Sequence, residues 1–325
     1  MKLSTLTRTL AATTLGLTLS LGAATAQDYP SDTIRLIVPY KPGGGSDSIG
    51  RAFAAALEEV SGQPVVVENV PGSAGINGML ALKKAAPDGY TLAINGTTDV
   101  TAPIAFRENP PYELADFSCA GAVFNTPVWM LAHSDNGYSD LGDFLAEAKA
   151  NPGTLTLGIT GKISATDFVA STVRGVNEAD FRIVSFGGGG PLKKAILANQ
   201  VDAGVIISPV LLNEVAAGDL TVLAAAGDMQ GITYPPARET PHIRNWGAEI
   251  DVALVRGILL PAGVPADVQT KLEGLVTEAL ESDTFGDFAQ TFGFAPYQES
   301  AEAFCGRMPQ EVTDLKTVLS EHLEK

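Results

Sequence analysis

The strongest constraint in this sequence is a regular alternation of short apolar runs with longer segments of helical periodicity. Residues 34–39 and 64–68 are apolar or β-branched runs that predict strands, and residues 91–95 predict a third. Between them, residues 46–60 and 75–86 place apolar side chains at helical spacing. Because parallel strands are joined by crossover helices, this βαβαβ order predicts a parallel sheet with helices on its faces.

The same pattern returns further along the chain. Predicted strands occupy residues 128–132, 155–159, 181–186, 201–207 and 220–225. Predicted helices occupy residues 141–150, 165–173 and 191–199. A later strand is expected at residues 254–260, followed by helices at 268–279 and 301–323. The sequence therefore predicts a second α/β unit, after which the chain returns to elements of the opening type.

The predicted elements divide into two lobes, with boundaries near residues 124–127 and 246–252. The first unit has an incomplete sheet that the chain end can complete, so we expect a discontinuous lobe I of residues 27–124 plus 253–325. Lobe II is the insert, residues 125–252. The expected fold class is α/β, with each lobe a mixed or mostly parallel sheet flanked by helices. Two hinge strands would leave a cleft suited to a small ligand.

Composition excludes several functional classes. The chain has 325 residues, and its 45% apolar content is enough to bury a core. The 37 acidic residues outnumber the 21 basic ones, and the formal net charge of −16 argues against a nucleic-acid or anionic-membrane partner. Two cysteines and three histidines are few for metal or histidine-based chemistry. We therefore expect no metal and no cofactor.

Residues 1–26 have the pattern of a secretory signal peptide. Basic residues precede the weakly apolar stretch 10–24, and a small-x-small cleavage motif ends at Ala26. A membrane anchor is the alternative, but the apolar stretch is short and interrupted by threonines. We expect cleavage near Ala26 and a periplasmic protein. In that compartment Cys119 and Cys305 could form a disulfide, and two separate buried thiols fit the sequence equally well.

A glycine-rich turn, PYKPGGGSD at residues 39–47, separates the first predicted strand from the first helix. Three glycines let a ligand approach the backbone, and Ser46 is expected to cap a helix whose N-terminus favours an anion. Asp47 is expected to support the helix start or to contact a ligand ammonium group. A Walker A loop requires Gly-Lys-Ser/Thr, and a dinucleotide fingerprint requires glycine where Ser48 stands. A carboxylate-binding turn and a plain tight turn both remain open.

Other polar turns follow the remaining predicted strands. They lie at residues 71–78, 95–99, 160–166, 187–191 and at Ser208. Open α/β sheets bind ligands at the carboxyl ends of their strands, so these turns predict the rim of a binding site. Within them, Lys162 could pair with a ligand carboxylate or be a solvated loop lysine.

No catalytic motif is complete in the sequence. A hydrolase elbow around Ser46 would need Gly-x-Ser-x-Gly, and Ser48 stands in place of the second glycine. The three histidines do not show metal-ligand spacing. Asp47 and Asp99 could act as paired acids, but no spacing rule requires it. We therefore expect a protein without enzymatic activity.

Two long strings near the start carry a family resemblance. They are YPSDTIRLIVPYKPGGGSDSIGRAFAAAL at residues 29–57 and GQPVVVENVPGSAGINGMLALKKAAPDGYTL at residues 62–92. Weaker matches follow in the right order at residues 151–161, 185–202 and 257–265. The chain resembles the periplasmic solute-binding proteins of tripartite tricarboxylate transporters, the TctC or Bug family.

The resemblance implies a Venus-flytrap-like protein that holds a small carboxylated solute between two lobes and delivers it to a membrane permease. The implied solutes are di- or tricarboxylates, aromatic acids or acidic amino acids. We expect a monomer. Carried over position by position, the resemblance places the ligand on Tyr40, Gly44, Gly45, Ser46, Asp47, Ser73, Ala74, Gly75, Thr97 and Thr98.

The second lobe departs from the family pattern, most clearly at Lys162 and Phe186. Its candidate ligand residues are Thr160, Lys162, Ser164, Thr166, Gly187, Gly188, Gly189 and Ser208. Our hypothesis is that Lys162 binds a second ligand carboxylate. A secreted hydrolase using the same cleft, and a binding protein that reports to a signalling partner, are the alternative functions.

Overall fold

The computed structural model describes residues 29–125, 127–207, 211–227, 229, 231–250 and 255–318. Its strands form two five-stranded sheets. The first sheet contains β1 (Ile34–Val38), β2 (Val65–Asn69), β3 (Thr91–Gly96), β4 (Phe117–Asn125) and β10 (Val255–Pro261). The second contains β5 (Val128–His133), β6 (Thr156–Ile159), β7 (Arg182–Ser185), β8 (Ala203–Ile207) and β9 (Leu220–Ala226). The predicted signal peptide lies outside the described residues.

The two sheets have the same construction, with strand orders β2-β1-β3-β10-β4 and β7-β6-β8-β5-β9. In each, three parallel strands are joined by crossover helices. One antiparallel strand follows them, and an outer strand pairs with it and runs in the direction of the first three. The antiparallel strands β10 and β5 are the first to enter their sheets after the chain has crossed between lobes. The expected two-lobed α/β fold with mixed sheets is confirmed.

Helices cover both faces of each sheet. Those of the first part of the chain and its end are α1 (Gly45–Ser61), α2 (Ile76–Lys83), α3 (Thr97–Ala105), α9 (Ala266–Glu281), α10 (Asp283–Thr291), α11 (Ala301–Gly306) and α12 (Met308–Val318). Those of the insert are α4 (Leu141–Ala150), α5 (Ala165–Val176), α6 (Gly189–Leu197), α7 (Leu212–Ala217) and α8 (Pro235–Arg238). Within the described part of the chain, no helix combines the length and apolar character needed to cross a bilayer.

Alternation along the strands builds the first core on both faces of its sheet. Ile34, Leu36 and Val38 point toward α1 and α9, whereas Ile37 packs on the opposite face with residues of α2 and α11. All four side chains are fully buried. A strand that is buried on both faces has apolar residues at nearly every position. The sequence of β1 therefore predicts a strand directly.

Several elements differ from the sequence predictions, which did not include β4, α3, α7, α8 and α10. The predicted turn at residues 95–99 is instead the end of β3 and the first turn of α3. The sequence did not predict α3 because threonines and an internal Pro103 lower its helix propensity. The single terminal helix predicted at residues 301–323 is two helices, α11 and α12, within the described residues. Gly306 and Pro309 flank the break, since glycine weakens a helix interior and proline favours a helix start.

The terminal helix α12 packs on the second lobe as well as on the first. Its Leu315 is buried in the core formed by β5, β6 and β8, and Ala102 and Ala105 of α3 join the same core. On another side, Thr233 and Gly293 are joined by a backbone hydrogen bond of 2.8 Å between the insert and the chain end. The helices α3 and α12 therefore contact both lobes, and the lobe division expected from the sequence stays a prediction.

Cys119 of β4 and Cys305 of α11 form a disulfide across 186 residues of sequence, with their Cα atoms 6.0 Å apart. The bond ties a short helix to the edge strand of the first sheet. It closes a very long loop, so it restricts the unfolded chain strongly.

Replacing both cysteines with serine should lower the free energy of unfolding by about 2–4 kcal/mol. The reason is that the variant regains unfolded-state freedom while its native contacts stay largely unchanged. Urea denaturation followed by circular dichroism measures the change. A reducing agent should lower the wild-type midpoint toward that of the variant and leave the variant unaffected. Equal midpoints for the wild type and the variant, each measured with and without the reducing agent, would contradict the prediction.

Candidate functional site

The carboxyl ends of the parallel strands from both lobes face one another. Three helices begin at this junction, α1 at Gly45, α5 at Ala165 and α6 at Gly189, and all three starting residues line one interlobe cavity. Helix N-termini carry free N–H groups and a partial positive charge. Their convergence places three positive helix ends at one cavity.

The cavity is small and enclosed, with a volume of about 20 Å³. Its lining residues are Tyr40, Gly44, Gly45, Ser46, Asp99, Thr160, Ala165, Thr166, Gly189, Ile206, Ile207 and Arg256. This volume is close to that occupied by one water molecule, so the lobes lie in a closed arrangement.

Glycines make the close approach of the lobes possible. A Cβ atom at Gly44 would lie 3.0 Å from the Cα of Gly189 in the opposite lobe. At Gly190 it would lie 2.4 Å from the carbonyl oxygen of Pro42, and at Gly161 it would lie 3.0 Å from the Cβ of Ala74. Any larger residue at these positions would separate the two backbones.

A buried ion pair occupies the centre of the lining. Arg256 of β10 and Asp99 of α3 are only 2% and 4% exposed, and the Nη2 of Arg256 donates to Oδ2 of Asp99 at 3.2 Å. The other carboxylate oxygen of Asp99 accepts a hydrogen bond of 3.2 Å from the backbone N–H of Ala165. Ala165 is the first residue of α5, so Asp99 joins the two lobes at a helix N-terminus.

Tyr40 lies beside this pair. Its hydroxyl donates to the carbonyl oxygen of Ala74 at 3.2 Å, which connects two of the first-lobe turns. Burial, assisted by the carboxylate of Asp99, raises the pKa of the Tyr40 hydroxyl well above its usual value. The hydroxyl is therefore a hydrogen-bond donor at every physiological pH.

Ser46 and Asp47 take different positions from those expected of a helix cap. Gly44 holds the cap position of α1, and Ser46 lies within the first turn and lines the cavity, so the expectation that Ser46 caps the helix is wrong. The carboxylate of Asp47 accepts from the N–H of Gly43 at 2.9 Å and from Asn69 at 2.9 Å. It also pairs with Arg51. Asp47 therefore supports the glycine-rich turn, and these bonds hold its pKa below its usual value despite partial burial.

In the second lobe, buried hydroxyls form a short network at the start of α5. The hydroxyls of Thr160 and Thr166 are 2.7 Å apart, and those of Ser164 and Thr166 are 2.9 Å apart. Ser164 is the N-cap of α5 and also donates to the carbonyl oxygen of Gly161 at 2.8 Å. Thr160 and Thr166 line the cavity, whereas Ser164 positions the helix start.

Among the described residues, the other second-lobe candidates lie outside the lining. Lys162 is 61% exposed and its ammonium group is 3.4 Å from Asp167, so its contact with a ligand carboxylate stays a prediction. A Cβ at Gly188 would lie 3.3 Å from that of Lys41 at the mouth of the cleft, and Gly187 lies near the same lysine. Ser208 lies outside the described residues.

The remaining first-lobe candidates do not line the cavity. Ser73, Ala74 and Gly75 form a short helical turn, with Ala74 against Gly161 of the other lobe. Thr97 and Thr98 begin α3 and face Glu311 of α12, whose carboxylate accepts a hydrogen bond from the Thr98 hydroxyl.

Desolvation between α3 and α12 raises the pKa of Glu311 to about 7. Hydrogen bonds from Thr98 and Thr97 and the positive charge of Arg307 oppose this rise, whereas the charge of Asp99 adds to it. Glu311 is therefore a titratable group close to neutral pH next to the interlobe ion pair.

The sequence predictions missed Arg256, Ile206 and Ile207, and they placed Asp99 and Ala165 in rim turns without naming them as ligand residues. Arg256 had a signal in the sequence, because a charged residue in the otherwise apolar run VRGILLP must find a buried partner. The partner itself was not predictable, since Asp99 is separated from Arg256 by 157 residues. The strand β8 was predicted, but which of its side chains faces the cleft depends on the packing of the lobes.

Comparisons with known proteins agree on one family. The family model for the tripartite tricarboxylate transporter family receptor matches residues 49–322. A UPF0065 protein of Bordetella pertussis is 28% identical over 289 residues, covering 88% of each chain. Protein BugT of the same organism is 25% identical over 290 residues, again covering 88% of each chain.

Solved structures share the whole architecture. A periplasmic transporter is 27% identical with a TM-score of 0.83, covering 90% of this chain and 98% of its own. MatC from Rhodopseudomonas palustris, solved with bound malate, is 22% identical with a TM-score of 0.81, covering 90% of this chain and 100% of its own. At 22% identity, the similarity to MatC shows that the two chains share a fold.

We expect Gly190→Ala to hold the lobes apart. The added methyl group would lie 2.4 Å from the carbonyl oxygen of Pro42, about 1 Å closer than carbon and oxygen tolerate, so the lobes must separate. Small-angle X-ray scattering should give a larger radius of gyration than for the wild type. Gly286→Ala in α10 is the matched control, because its methyl group would meet nothing within 4 Å. An unchanged radius for Gly190→Ala would contradict the prediction.

Glu311→Gln should flatten the dependence of stability on pH. The folded state holds the Glu311 proton more tightly than the unfolded chain, so this stabilisation is fully present below about pH 4.5 and is lost as pH rises through about 7. At pH 8 the variant should therefore be more stable than the wild type by roughly 1–3 kcal/mol. Urea denaturation from pH 4 to 8 measures this, with Glu302→Gln on the exposed face of α11 as the control. Parallel pH profiles for wild type and Glu311→Gln would contradict it.

Proposed function

The chain belongs to the tripartite tricarboxylate transporter receptor family, and we propose that it is a periplasmic binding protein that captures a small carboxylated solute between its lobes. The observation that carries the proposal is the interlobe cavity, where the N-termini of α1, α5 and α6 meet a buried arginine. An enclosed site with this local charge favours an anion over a neutral solute.

The net charge of the chain does not oppose an acidic ligand at this site. Charges on the surface are screened beyond roughly 10 Å in salt, whereas helix N–H groups act at hydrogen-bond distance in an environment of low dielectric constant. A ligand carboxylate in the cavity would therefore respond to the three helix N-termini and to the Asp99–Arg256 pair, rather than to distant carboxylates on the surface.

The closed arrangement supports a capture mechanism in which the lobes open to admit the solute and close around it. A cavity of about 20 Å³ is too small for a dicarboxylate, so the lobes must separate for binding. The solute can favour the closed state only through contacts that both lobes make to it. Gly44, Ser46, Thr160 and Thr166 can supply such contacts, because they line the cavity from opposite sides.

The solute is proposed to be a di- or tricarboxylate, an aromatic acid or an acidic amino acid. Bound malate in the structurally similar MatC is in keeping with the first of these. Export by residues 1–26 would place the protein in the periplasm, where a monomer would deliver the solute to the permease subunits of a tripartite tricarboxylate transporter. The proposed protein is a carrier, and it leaves the solute chemically unchanged.

A thermal-shift screen tests the proposal. The set comprises acetate, succinate, malate, adipate, citrate, benzoate and glutamate. At about 100 times its dissociation constant, a true ligand should raise the melting temperature by roughly 3–8 °C. Proton NMR of the same sample should show the acid intact after prolonged incubation. Conversion of the acid would favour the alternative hydrolase, and no shift with any member of the set would contradict the proposed function.

A further inference from the structure

Arg256 is an unusual residue for its location. It lies in the interior of β10, a strand whose seven residues are all buried, and it is only 2% exposed itself. A buried guanidinium group is costly unless its charge and its hydrogen-bond donors are satisfied. The partners that offset the cost of burying the guanidinium group therefore indicate the function of that group.

Only part of the guanidinium group is satisfied within the protein. Nη2 donates to Asp99 at 3.2 Å, whereas Nε and Nη1 are buried and have no hydrogen-bond acceptor among the described residues. Arg256 also lines the interlobe cavity. Buried donors without an acceptor are rare in native proteins, and at a cavity wall they indicate a missing acceptor from outside the chain.

In this arrangement Asp99 accepts from one of the guanidinium nitrogens and does not reach the other two. One of its carboxylate oxygens accepts from Nη2 of Arg256, and the other accepts from the N–H of Ala165 at the start of α5. The side chain is 4% exposed and held from both lobes. Asp99 thus fixes the guanidinium plane and leaves the other donors for a second acceptor.

Among the described lining residues, Arg256 is the single cationic side chain. The ammonium group of Lys162 is largely exposed and lies beside Asp167. A fully desolvated carboxylate in the cavity therefore has one side chain with which it can form an ion pair. The rest of a solute would meet the hydroxyls of Thr160 and Thr166 and the apolar surface of Ile206.

We infer that Arg256 binds one carboxylate of the solute directly, through charge-assisted hydrogen bonds from its free donors, with Asp99 as the positioning residue. This inference rests on the proposed function and names the group that selects the solute. A planar guanidinium matches a carboxylate, so the site discriminates an acid from its uncharged amide. Lysine would keep the charge at this position but lose the fork of donors.

The alternative is that Arg256 only braces the lobes through Asp99. A bracing residue affects the binding of all solutes equally, because it acts on lobe closure. A residue that contacts the carboxylate affects the acid far more than its amide. The ratio of the two affinities therefore separates the two roles, and overall stability does not.

Calorimetry measures this ratio. The probes are whichever of acetate, succinate, malate, adipate, citrate, benzoate and glutamate binds the wild type most tightly, and the primary amide of that acid. Arg256→Gln should weaken binding of the acid by roughly 10- to 100-fold and change binding of the amide by less than about threefold. Arg256→Lys should bind the acid with an affinity between those of the wild type and Arg256→Gln. Arg35→Gln is the control, since Arg35 pairs with Glu68 on β2 at the protein surface.

Removing one partner of a buried pair can destabilise the fold, so a second variant keeps the charge balanced. Asp99→Asn/Arg256→Gln leaves no unpaired charge, and it should fold and still lose the preference for the acid. An acid-to-amide preference in either variant within threefold of the wild type would overturn the inference and leave the proposed function standing. If the wild type binds none of the seven acids, the proposed function fails, and the inference fails with it.

Discussion

The Asp99–Arg256 pair is the interaction on which the arrangement of the two lobes depends. Neither charge can be buried alone, and the pair is completed only when the N-terminus of α5 approaches from the second lobe. Asp99 begins a helix of the first lobe, Arg256 lies on the strand that returns to it, and Ala165 belongs to the insert. The carboxylate of Asp99 thus links the charges in the cavity to the relative position of the two lobes.

The glycine-rich turns admit a ligand, and they also allow the two lobes to approach each other closely. Gly44 and Gly189 approach each other across the cleft at a separation that no side chain would permit, as do Gly190 and Pro42. Helix N-termini from both lobes are thereby brought to one point. A site built in this way depends on backbone groups, whose positions are fixed by the sheets beneath them, and this keeps its geometry rigid within each lobe.

The terminal helix α12 adds a link between the lobes that does not pass through the chain crossings. Leu315 is anchored in the second-lobe core, whereas Glu311 lies against the first turn of α3, next to the ion pair. Because desolvation raises the pKa of Glu311 to about 7, the charge beside the pair changes over the neutral range. The disulfide between Cys119 and Cys305 fixes the preceding helix to β4 and so fixes where α12 begins.

The sequence by itself determined the fold class and most of the strands and longer helices. The apolar run of β1, the periodicity of α1 and the bounds of α4 follow from local spacing, and so does the placement of polar turns at strand ends. It also identified Tyr40, Gly44, Gly45, Ser46, Thr160, Thr166 and Gly189, all of which line the cavity. Tertiary structure alone decided the helix α3, the crossing of α12 onto the second lobe, and the pairing of Cys119 with Cys305. It also decided the meeting of Asp99 with Arg256. The physical reason is sequence separation, because spacing along a chain reports the face on which a residue lies, whereas the partner of a buried charge is set by which distant elements the fold brings together.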